Sequence, residues 1–199
     1  MMMAGFGSAA RKDKKKDGAF MGKKTFEMHM RQYHAHLVPG YPPRNQVDVY
    51  VHAEGTDRFW FVGKACAKEN GKVEDGPALA VLMQKRLVLE HAKLLQPRLL
   101  GMAKGQLELW CAPPNSEVAV AQKQQGLRRL DGMKKPAKDE LSLEEVGFLP
   151  EQYTKEDGQG FYARLPPDGQ PVGASSVKII SPQEAAAGGI DLGAAPPQS

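Results

Sequence analysis

The sequence is short of the residues and segments that would assign it to several large classes of protein. Its 199 residues include only two cysteines, Cys66 and Cys111, which excludes a disulfide framework and a four-cysteine zinc site. No apolar run approaches the roughly 20 residues that a membrane-spanning helix needs, so we expect no transmembrane segment. A domain of about 150 residues can bury enough surface to fold without such supports, and 41% of the residues are hydrophobic.

Motifs for nucleotide, metal or covalent chemistry are also missing. Neither a GxxxxGK(S/T) nor a GxGxxG loop lies between a predicted strand and a predicted helix, as phosphate binding requires. His29, His34 and His36 come close together, but on a helix His34 points away from the other two. Each cysteine lies near the end of an apolar strand, which is typical of a small buried side chain; a redox pair or a catalytic thiol is the alternative. The sequence therefore predicts no catalytic residue, no metal site and no cofactor.

The positive charge is confined to one end of the chain. Residues 1–24 carry seven basic and two acidic side chains, and the rest of the chain carries 20 basic and 21 acidic ones. Such a cluster near a terminus is typical of a solvated, disordered arm, with anionic lipid headgroups or a nucleic-acid backbone as alternative partners. Any such binding is expected to be non-specific and to use Arg11, Lys12, Lys14, Lys15, Lys16, Lys23 and Lys24.

The chain divides into three parts by composition. We expect a disordered basic arm over residues 1–22, a single domain over 23–180 and a disordered tail over 181–199, because neither end has a packable apolar pattern. The elements predicted from apolar periodicity are a helix over 24–38, a hairpin of strands over 46–52 and 58–67, a helix over 77–96, a strand over 106–112, a helix from Ser116 to about Leu130, and one or two strands up to VKII. This order predicts an α+β fold, a small antiparallel sheet with helices packed on one face.

The helix predicted over 77–96 has one broad apolar face and one charged face. Leu82 and Leu89 lie at the edge of the charged face, either as edge-of-core residues or as a small contact surface for a partner. Arg86 and Glu90 are four residues apart on the charged face, where they can pair. The apolar face consists of Val81, Leu87, Val88, Ala92, Leu94 and Leu95, and the charged face also holds Lys85 and Lys93.

Aromatic residues make up only 7% of the chain, yet several fall in the predicted strands. The FWF run of the second strand places Trp60 on one face and its two phenylalanines on the other, and Trp110 lies in the third strand. Either the tryptophans fill the core, or one sheet face carries aromatics with Arg58 or Lys64 and stacks RNA bases. The common RNA-binding strand motif is not present in the required order, so filling of the core is the favoured interpretation.

The PPNSE segment at residues 113–117 follows the third strand directly. Ser116 and Glu117 are typical of a helix start, with a capping hydroxyl and a first-turn acid. The segment is then a strand-to-helix turn; alternatively, it forms a rigid, exposed corner that binds a protein partner. In that second case Trp110, Asn115 and Glu117 form the contact patch, and Arg58 and Lys64 are further partner-binding candidates.

Several segments together resemble a family of plastid-targeted proteins of plants and green algae. They are FWFVGKACA, QKRLVLEHAKLLQP, LELWCAPPNSEVAVAQ, VGFLPEQY and GFYARL, and they cover about residues 25–165. Among named groups, the chain resembles the hypersensitive-to-high-light-like chloroplast proteins, which are associated with photosystem II repair. This resemblance implies a chloroplast setting, in the stroma or on the stromal face of the thylakoid, and no recognised active site; it assigns no functional residues.

Two main classes of function follow. The first is a non-catalytic auxiliary or assembly factor that binds a thylakoid or stromal protein complex, in a photosystem-related role. The second is a plastid RNA- or ribosome-associated protein that uses the basic arm, and a stromal enzyme with an unfamiliar site is a third alternative. The neutral-to-acidic body of the chain favours the first class, since a nucleic-acid-binding domain usually carries its positive charge on the fold.

Overall fold

The computed structural model describes residues 15–40, 42–102, 104–152 and 161–171. The predicted tail, the VKII strand and the first 14 residues of the predicted arm lie outside the described residues. In chain order the elements are helix α1 (Lys15–His36), strands β1 (Gln46–Ala53) and β2 (Arg58–Ala67), helices α2 (Gly76–Met83) and α3 (Lys85–Leu95), strand β3 (Leu107–Ala112), helix α4 (Glu117–Ala121), and strands β4 (Arg128–Arg129), β5 (Val146–Pro150) and β6 (Tyr162–Arg164). Short 3-10 turns at Pro97–Leu99 and Lys104–Gln106 lie between α3 and β3.

The described strands form one antiparallel sheet with the predicted hairpin at its centre. The strand order is β4-β3-β1-β2-β5, and β6 pairs with the first residues of β2. Alternation in β1 and β3 directs successive side chains to opposite faces, and both faces are buried. The α+β class, with a small antiparallel sheet, is therefore confirmed.

A β-bulge in β2 decides which side chains share a face. Val49 of β1 pairs with Gly63, whereas the next residue, Tyr50, pairs with Phe61, so that Val62 is the extra residue. Gly63 has a φ of +145°, and a Cβ at this position would collide with the backbone of β5, so a glycine is required here. Before the bulge the even-numbered residues of β2 face the main core, and after it the odd-numbered residues do.

Helices α2 and α3 cover one face of the sheet and form the main core with it. Val49 of β1, Leu109 of β3 and Phe148 of β5 are completely buried beneath them. Leu82 and Leu89 are buried in the same cluster, which confirms their interpretation as edge-of-core residues. Burial of this continuous apolar layer is the main source of stability, at roughly 25 cal/mol for each Å² of apolar surface removed from water.

The helix predicted over 77–96 is confirmed in extent but is interrupted by a turn at Gln84, which divides it into α2 and α3. The Gln84 side-chain amide donates hydrogen bonds to a carbonyl oxygen of α2 and to that of Gly147 in β5, which ties the turn to the sheet. Leu94, predicted on the apolar face, is instead 58% exposed. It lies about 100° around the helix from the buried Leu95, outside the face that α3 turns towards the sheet.

Helix α1 is longer than the sequence predicts and packs against β5. It begins at Lys15, inside the segment predicted as a disordered arm, and ends at His36. The backbone of Tyr33 lies directly over Gly147, where any Cβ would collide with it, and the Cys66 thiol donates to the Tyr33 carbonyl oxygen at 3.5 Å. The missing side chain at Gly147 lets this helix approach the sheet closely.

The second face of the sheet carries a smaller cluster of buried residues. Tyr50, Phe59 and Trp110 contribute from the three central strands, and Val120 of α4 belongs to the same cluster. The rings of Phe59 and Trp110 meet edge to face, with centroids 5.1 Å apart, an arrangement that aromatic pairs prefer. This aromatic cluster gives the second face of the sheet an apolar core of its own.

Helix α4 is much shorter than the sequence predicts. It spans Glu117–Ala121 and does not continue from Ser116 to about Leu130. Lys123 has a φ of +59°, a left-handed conformation that cannot continue a right-handed helix. Leu127 and Leu130 are buried in clusters on opposite sides of the sheet. Residues three apart on a helix would share one face, so the packing of these leucines requires the extended chain that enters β4.

Asp131 ties the outer edge of β3 to α3. Its Oδ2 accepts a hydrogen bond from the Leu109 backbone N–H at 2.9 Å, and its Oδ1 pairs with Lys85 Nζ at 2.6 Å. Strand β4 pairs with only Trp110 and Cys111 of this edge. The carboxylate therefore takes the place that a further strand residue would occupy.

Candidate functional site

Asp48 is a completely buried carboxylate in the central strand of the sheet. It lies in register between Lys64 of β2 and Ala112 of β3, on the face opposite the main core. Lys64 is directed to the same face because the bulge in β2 shifts the alternation beyond it. The PPNSE segment leaves β3 directly after Ala112 and so passes beside Asp48. We call the resulting group the Asp48 cluster: Asp48, Lys64, Asn115, Ser116 and Glu117.

The Lys64 ammonium is at the centre of the Asp48 cluster. Its Nζ donates to Asn115 Oδ1 at 2.8 Å, pairs with Glu117 Oε1 at 2.8 Å and lies 3.6 Å from Asp48 Oδ1. An ammonium group has three protons, so each proton has an oxygen nearby. The structure thus brings together three of the five predicted partner-binding residues, namely Lys64, Asn115 and Glu117.

Ser116 connects the PPNSE segment to the buried carboxylate. Its backbone N–H donates to Asp48 Oδ2 at 2.8 Å, and its hydroxyl donates to the same oxygen at 3.2 Å. The predicted capping role is therefore wrong, because the Ser116 side chain makes no capping hydrogen bond to α4. Asn115, the residue before it, has a φ of +57°, which turns the chain so that Ser116 can reach the sheet.

Burial and the Lys64 charge set the protonation of this cluster. Burial raises the pKa of Asp48, against the lowering effects of the Ser116 backbone N–H and of Lys64. Burial also acts to raise the pKa of Glu117, but its hydrogen bond and ion pair with Lys64 outweigh this and hold the pKa below its ordinary value. On the same face, burial raises the pKa of Tyr50, and the neighbouring Asp48 raises it further. Lys64 is therefore shared between an inner carboxylate that is costly to ionise and an outer one that ionises readily.

This geometry is suited to holding the chain in place. A lysine acts as a nucleophile or a base through a free amine, whereas the Lys64 ammonium is surrounded by three oxygens. Asp48 is sealed from solvent, so a substrate cannot reach it. What the cluster does is fix an exposed segment, since Asn115 and Val118 are exposed while Ser116 between them is buried.

The other two predicted partner-binding residues do not join the Asp48 cluster. Trp110 is 3% exposed, and its Nε1 donates to Glu108 at 3.2 Å, so its ring fills the aromatic cluster and is not available as an exposed anchor. Arg58 lies at the far end of the hairpin, with its guanidinium 5.2 Å from the centre of the Tyr162 ring. Trp110 is close to the PPNSE segment in sequence, but this proximity did not indicate that its ring is buried. It also gave no sign that Arg58 lies at the other end of the hairpin.

The aromatic residues of the strands are in the two cores. Trp60 is buried in the main core, and Phe59 and Phe61 are buried in the aromatic cluster. The interpretation of both tryptophans as core residues is confirmed. A base-stacking platform needs exposed rings, and none of the strand aromatics named here offers one.

A second polar group, which the sequence did not indicate, surrounds Glu108 of β3. Glu108 Oε2 lies 3.1 Å from His52 Nδ1, and Oε1 pairs with Arg129 at 2.7 Å. The Trp110 indole N–H bonds the same carboxylate. His52 and Glu108 are register partners across β1 and β3, so only knowledge of the strand pairing could have joined them. For Asp48 a signal existed: a carboxylate in the otherwise apolar run VDVYV.

The two cysteines are buried and unpaired. Strand β1 lies between β2, which carries Cys66, and β3, which carries Cys111, so the neighbouring strands that a redox pair requires are not present. Burial raises the pKa of the Cys66 thiol to about 12, and burial also raises that of Cys111. A nucleophilic cysteine needs a lowered pKa, so both thiols have the character of small apolar side chains.

The predicted anionic-binding residues fall partly in α1. In the described part of the chain, Lys23 Nζ lies 4.0 Å from the Glu27 carboxylate, one turn further along the helix. Among the described residues no three His, Cys, Asp or Glu side chains are grouped as a metal ion would require. Lys15, Lys16, Lys23 and Lys24 belong to α1, whereas Arg11, Lys12 and Lys14 lie outside the described residues.

Comparisons with protein-family models, with curated proteins and with solved structures found no match to this chain. Across the described ranges, no helix has both the length and the apolar character that crossing a bilayer needs. The fold and the Asp48 cluster therefore define an α+β domain with a rigid polar corner beside its central strands.

Proposed function

We propose that this chain is a non-catalytic auxiliary factor that binds a chloroplast protein complex through the corner formed by residues 113–118. The observation that carries the proposal is the attachment of this exposed corner to a buried carboxylate. Ser116 donates to Asp48 through both its backbone N–H and its hydroxyl. Hydrogen bonds of this kind are strong in a low-dielectric interior, so they fix the backbone of the corner.

The solvent side of the corner supports a role in protein contact. Val118 is 67% exposed, and Pro113 and Asn115 are exposed on the same short segment. The partly buried ion pair between Lys64 and Glu117 lies beside them. An apolar residue surrounded by polar ones matches the centre-and-rim pattern of protein interfaces. A segment that is ordered before binding also loses less conformational entropy on association.

The contacts of the Lys64 ammonium support the proposal that the chain is not a catalyst. Its ammonium is engaged by Asn115, Glu117 and Asp48, and a catalytic amine would need to be released from all three. The chloroplast setting, in the stroma or at the stromal face of the thylakoid, enters the proposal through the family resemblance. A photosystem complex is accordingly the first partner to test.

The alternative function, binding of RNA or a ribosome through the basic arm, has less support. The chain beyond residue 24 carries 20 basic and 21 acidic side chains, so the fold as a whole lacks the net positive charge that a nucleic-acid-binding domain usually carries. The aromatic residues of β1, β2 and β3 are buried, and the partly exposed Tyr162 ring of β6 packs against Trp60 and Arg58. Only the arm then remains for RNA, and a binding test can separate the two functions.

The proposal is tested by capturing partners of the tagged full chain from chloroplast extracts, with and without nuclease. Val118→Asp places a charge at the centre of the corner without disturbing the buried cluster. Leu143→Asp is the matched control, because Leu143 is 54% exposed and lies outside the corner. We expect Val118→Asp to lose the captured protein complex, Leu143→Asp to retain it and nuclease to have no effect.

Two results would contradict the proposal. Retention of the complex by Val118→Asp, with an unchanged circular dichroism spectrum, would remove the corner as the binding site. Release of the captured material by nuclease would favour the RNA-binding alternative. Because Val118 is exposed, its substitution is expected to change the free energy of unfolding by less than about 0.5 kcal/mol.

A further inference from the structure

Helix α3 and the turn after it expose two leucines on the solvent side of the main core. Leu94 is 58% exposed and Leu100 is 60% exposed. Arg86, Glu90 and Leu94 are spaced four residues apart, so they form one row along the exposed side of the helix. We call the following residues the α3 surface: Arg86, Lys93, Leu94, Arg98 and Leu100.

Positive charge predominates around these leucines. Arg86 pairs with Glu90 at 2.8 Å, and its side chain remains 86% exposed. Lys93 donates to the backbone carbonyl of Met102, and Arg98 is exposed in the turn. On the side of α3, the cations Lys85, Arg86, Lys93 and Lys135 lie together with the carboxylates Glu90 and Asp131, and Arg98 lines a hollow that Asp57 also lines.

A groove of about 310 Å³ adjoins the α3 surface. Leu89 and Leu107 contribute apolar side chains to it, and Lys85, Lys93 and Lys135 contribute cationic ones. The long stems of lysine and arginine can lie along apolar surface while their charged ends reach outward. Glu90 also lines the groove, but cations outnumber it, and apolar side chains together with excess positive charge suit a ligand with an acyl part and an anionic head.

We infer that the α3 surface docks on an anionic lipid bilayer, with Leu94 and Leu100 at the level of the headgroups and the cations on lipid phosphates. Amphipathic surfaces that lie in the membrane interface combine leucines with flanking lysine and arginine in this way. Protein interfaces are enriched in aromatic side chains, whereas the residues of the α3 surface include none. The excess of cationic side chains around the α3 surface is complementary to the negative charge of the lipid headgroups.

This surface is independent of the proposed protein-binding corner. Helix α3 packs on the main-core face of the sheet, and the Asp48 cluster lies on the opposite face. A bilayer at the α3 surface therefore leaves residues 113–118 accessible. Loss of one binding activity in a variant need not affect the other.

Vesicle co-sedimentation of the full chain tests the inference. The probes are vesicles of phosphatidylcholine alone and vesicles that contain about one third phosphatidylglycerol. We expect binding to the anionic vesicles only, and Leu94→Ser with Leu100→Ser should weaken it by at least about tenfold, because two leucines lose their transfer into the interface. The control variant, Met28→Ser with Leu143→Ser, removes two exposed apolar residues elsewhere and should bind as the wild type does.

A fluorescent label separates docking of the α3 surface from simple attraction of the basic arm. The native cysteines are buried, so Leu100→Cys provides the accessible thiol for an environment-sensitive dye, and Leu143→Cys provides the control position. We expect a blue shift on anionic vesicles at position 100 and none at position 143. Equal binding by wild type and the Leu94/Leu100 variant, an aqueous dye signal at position 100 on bound vesicles, or absence of wild-type binding would each overturn the inference.

Discussion

Replacing Lys64 with methionine isolates the contribution of the Asp48 cluster to the free energy of unfolding. Methionine keeps the length and apolar stem of the side chain but removes the ammonium from beside Asp48 and Glu117. Loss of one partner from a buried ion pair costs about 3–5 kcal/mol. Asp48 keeps two hydrogen bonds from Ser116, and Lys64 is 22% exposed, so we expect a smaller loss of about 2–3 kcal/mol at neutral pH.

The reason for this loss can be checked with a second substitution and with pH. Asp48→Asn removes the buried negative charge, so Lys64→Met should cost about 1–2 kcal/mol less in that background than in the wild type. The pKa of Asp48 is already raised by burial and would rise further without Lys64. The loss caused by Lys64→Met should therefore diminish as the pH falls and Asp48 takes up a proton.

Urea unfolding followed by the fluorescence of Trp60 and Trp110 provides the measurement, because both indoles lie in the cores. Arg86→Ala is the control, since it removes an exposed pair four residues apart on a helix and should cost far less than Lys64→Met. A loss for Lys64→Met no larger than this control, or a loss of equal size with and without Asp48→Asn, would refute the role given to the cluster.

Three further predictions concern packing and protonation elsewhere in the fold. Gly147→Ala should destabilise the chain by about 3 kcal/mol in urea unfolding, because the new methyl group would meet the backbone of Tyr33; a loss under about 0.5 kcal/mol would contradict this close approach. The Cys66 thiol, whose pKa burial raises to about 12, should resist alkylation at mildly alkaline pH until urea unfolds the chain, and rapid labelling of the native chain would show that it is accessible. Burial lowers the pKa of His91 below 6.5, so the unfolded chain takes up a proton first and stability should fall as the pH drops through 6.5 towards the folded pKa. His91→Gln should reduce that slope, and an unchanged slope would assign the effect to other groups.

Local patterns were sufficient for the central part of the fold. In QVDVYVH and in LELWCA every second side chain is apolar. This alternation is visible within the segment itself, and it correctly predicted β1 and β3. Helical periodicity likewise located the helical segment over 77–96 and the burial of Val88. Each of these signals lies within one continuous segment of at most 20 residues, so its periodicity can be recognised without any distant contact.

Features that depend on distant contacts could not be predicted in the same way. The turn at Gln84 is held by a hydrogen bond to Gly147 in β5, 63 residues further along the chain. The end of α4 is decided by the packing of Leu127 and Leu130 on opposite faces of the sheet. In both places tertiary contacts override a continuous helical pattern.

The candidate site shows the same division. Lys64, Asn115 and Glu117 were predicted as partner-binding residues, and they do lie together. Their meeting point, Asp48, was not predicted, because Lys64 reaches it only after the bulge at Gly63 shifts the alternation of β2. A one-residue shift in a strand exchanges its two faces, so the composition of the cluster follows from the strand register and not from local spacing.

The carboxylate of Asp131 also affects how copies of this chain meet one another. An open strand edge offers N–H and C=O groups to which a second chain can add a strand, and such pairing leads to aggregation. At the outer edge of β3, Asp131 already accepts the hydrogen of the Leu109 N–H, and it places a negative charge where an incoming carbonyl oxygen would have to approach. The ion pair with Lys85 holds that charge in position. At this position beside the short β4, one side chain opposes the addition of a second chain in place of a longer covering strand.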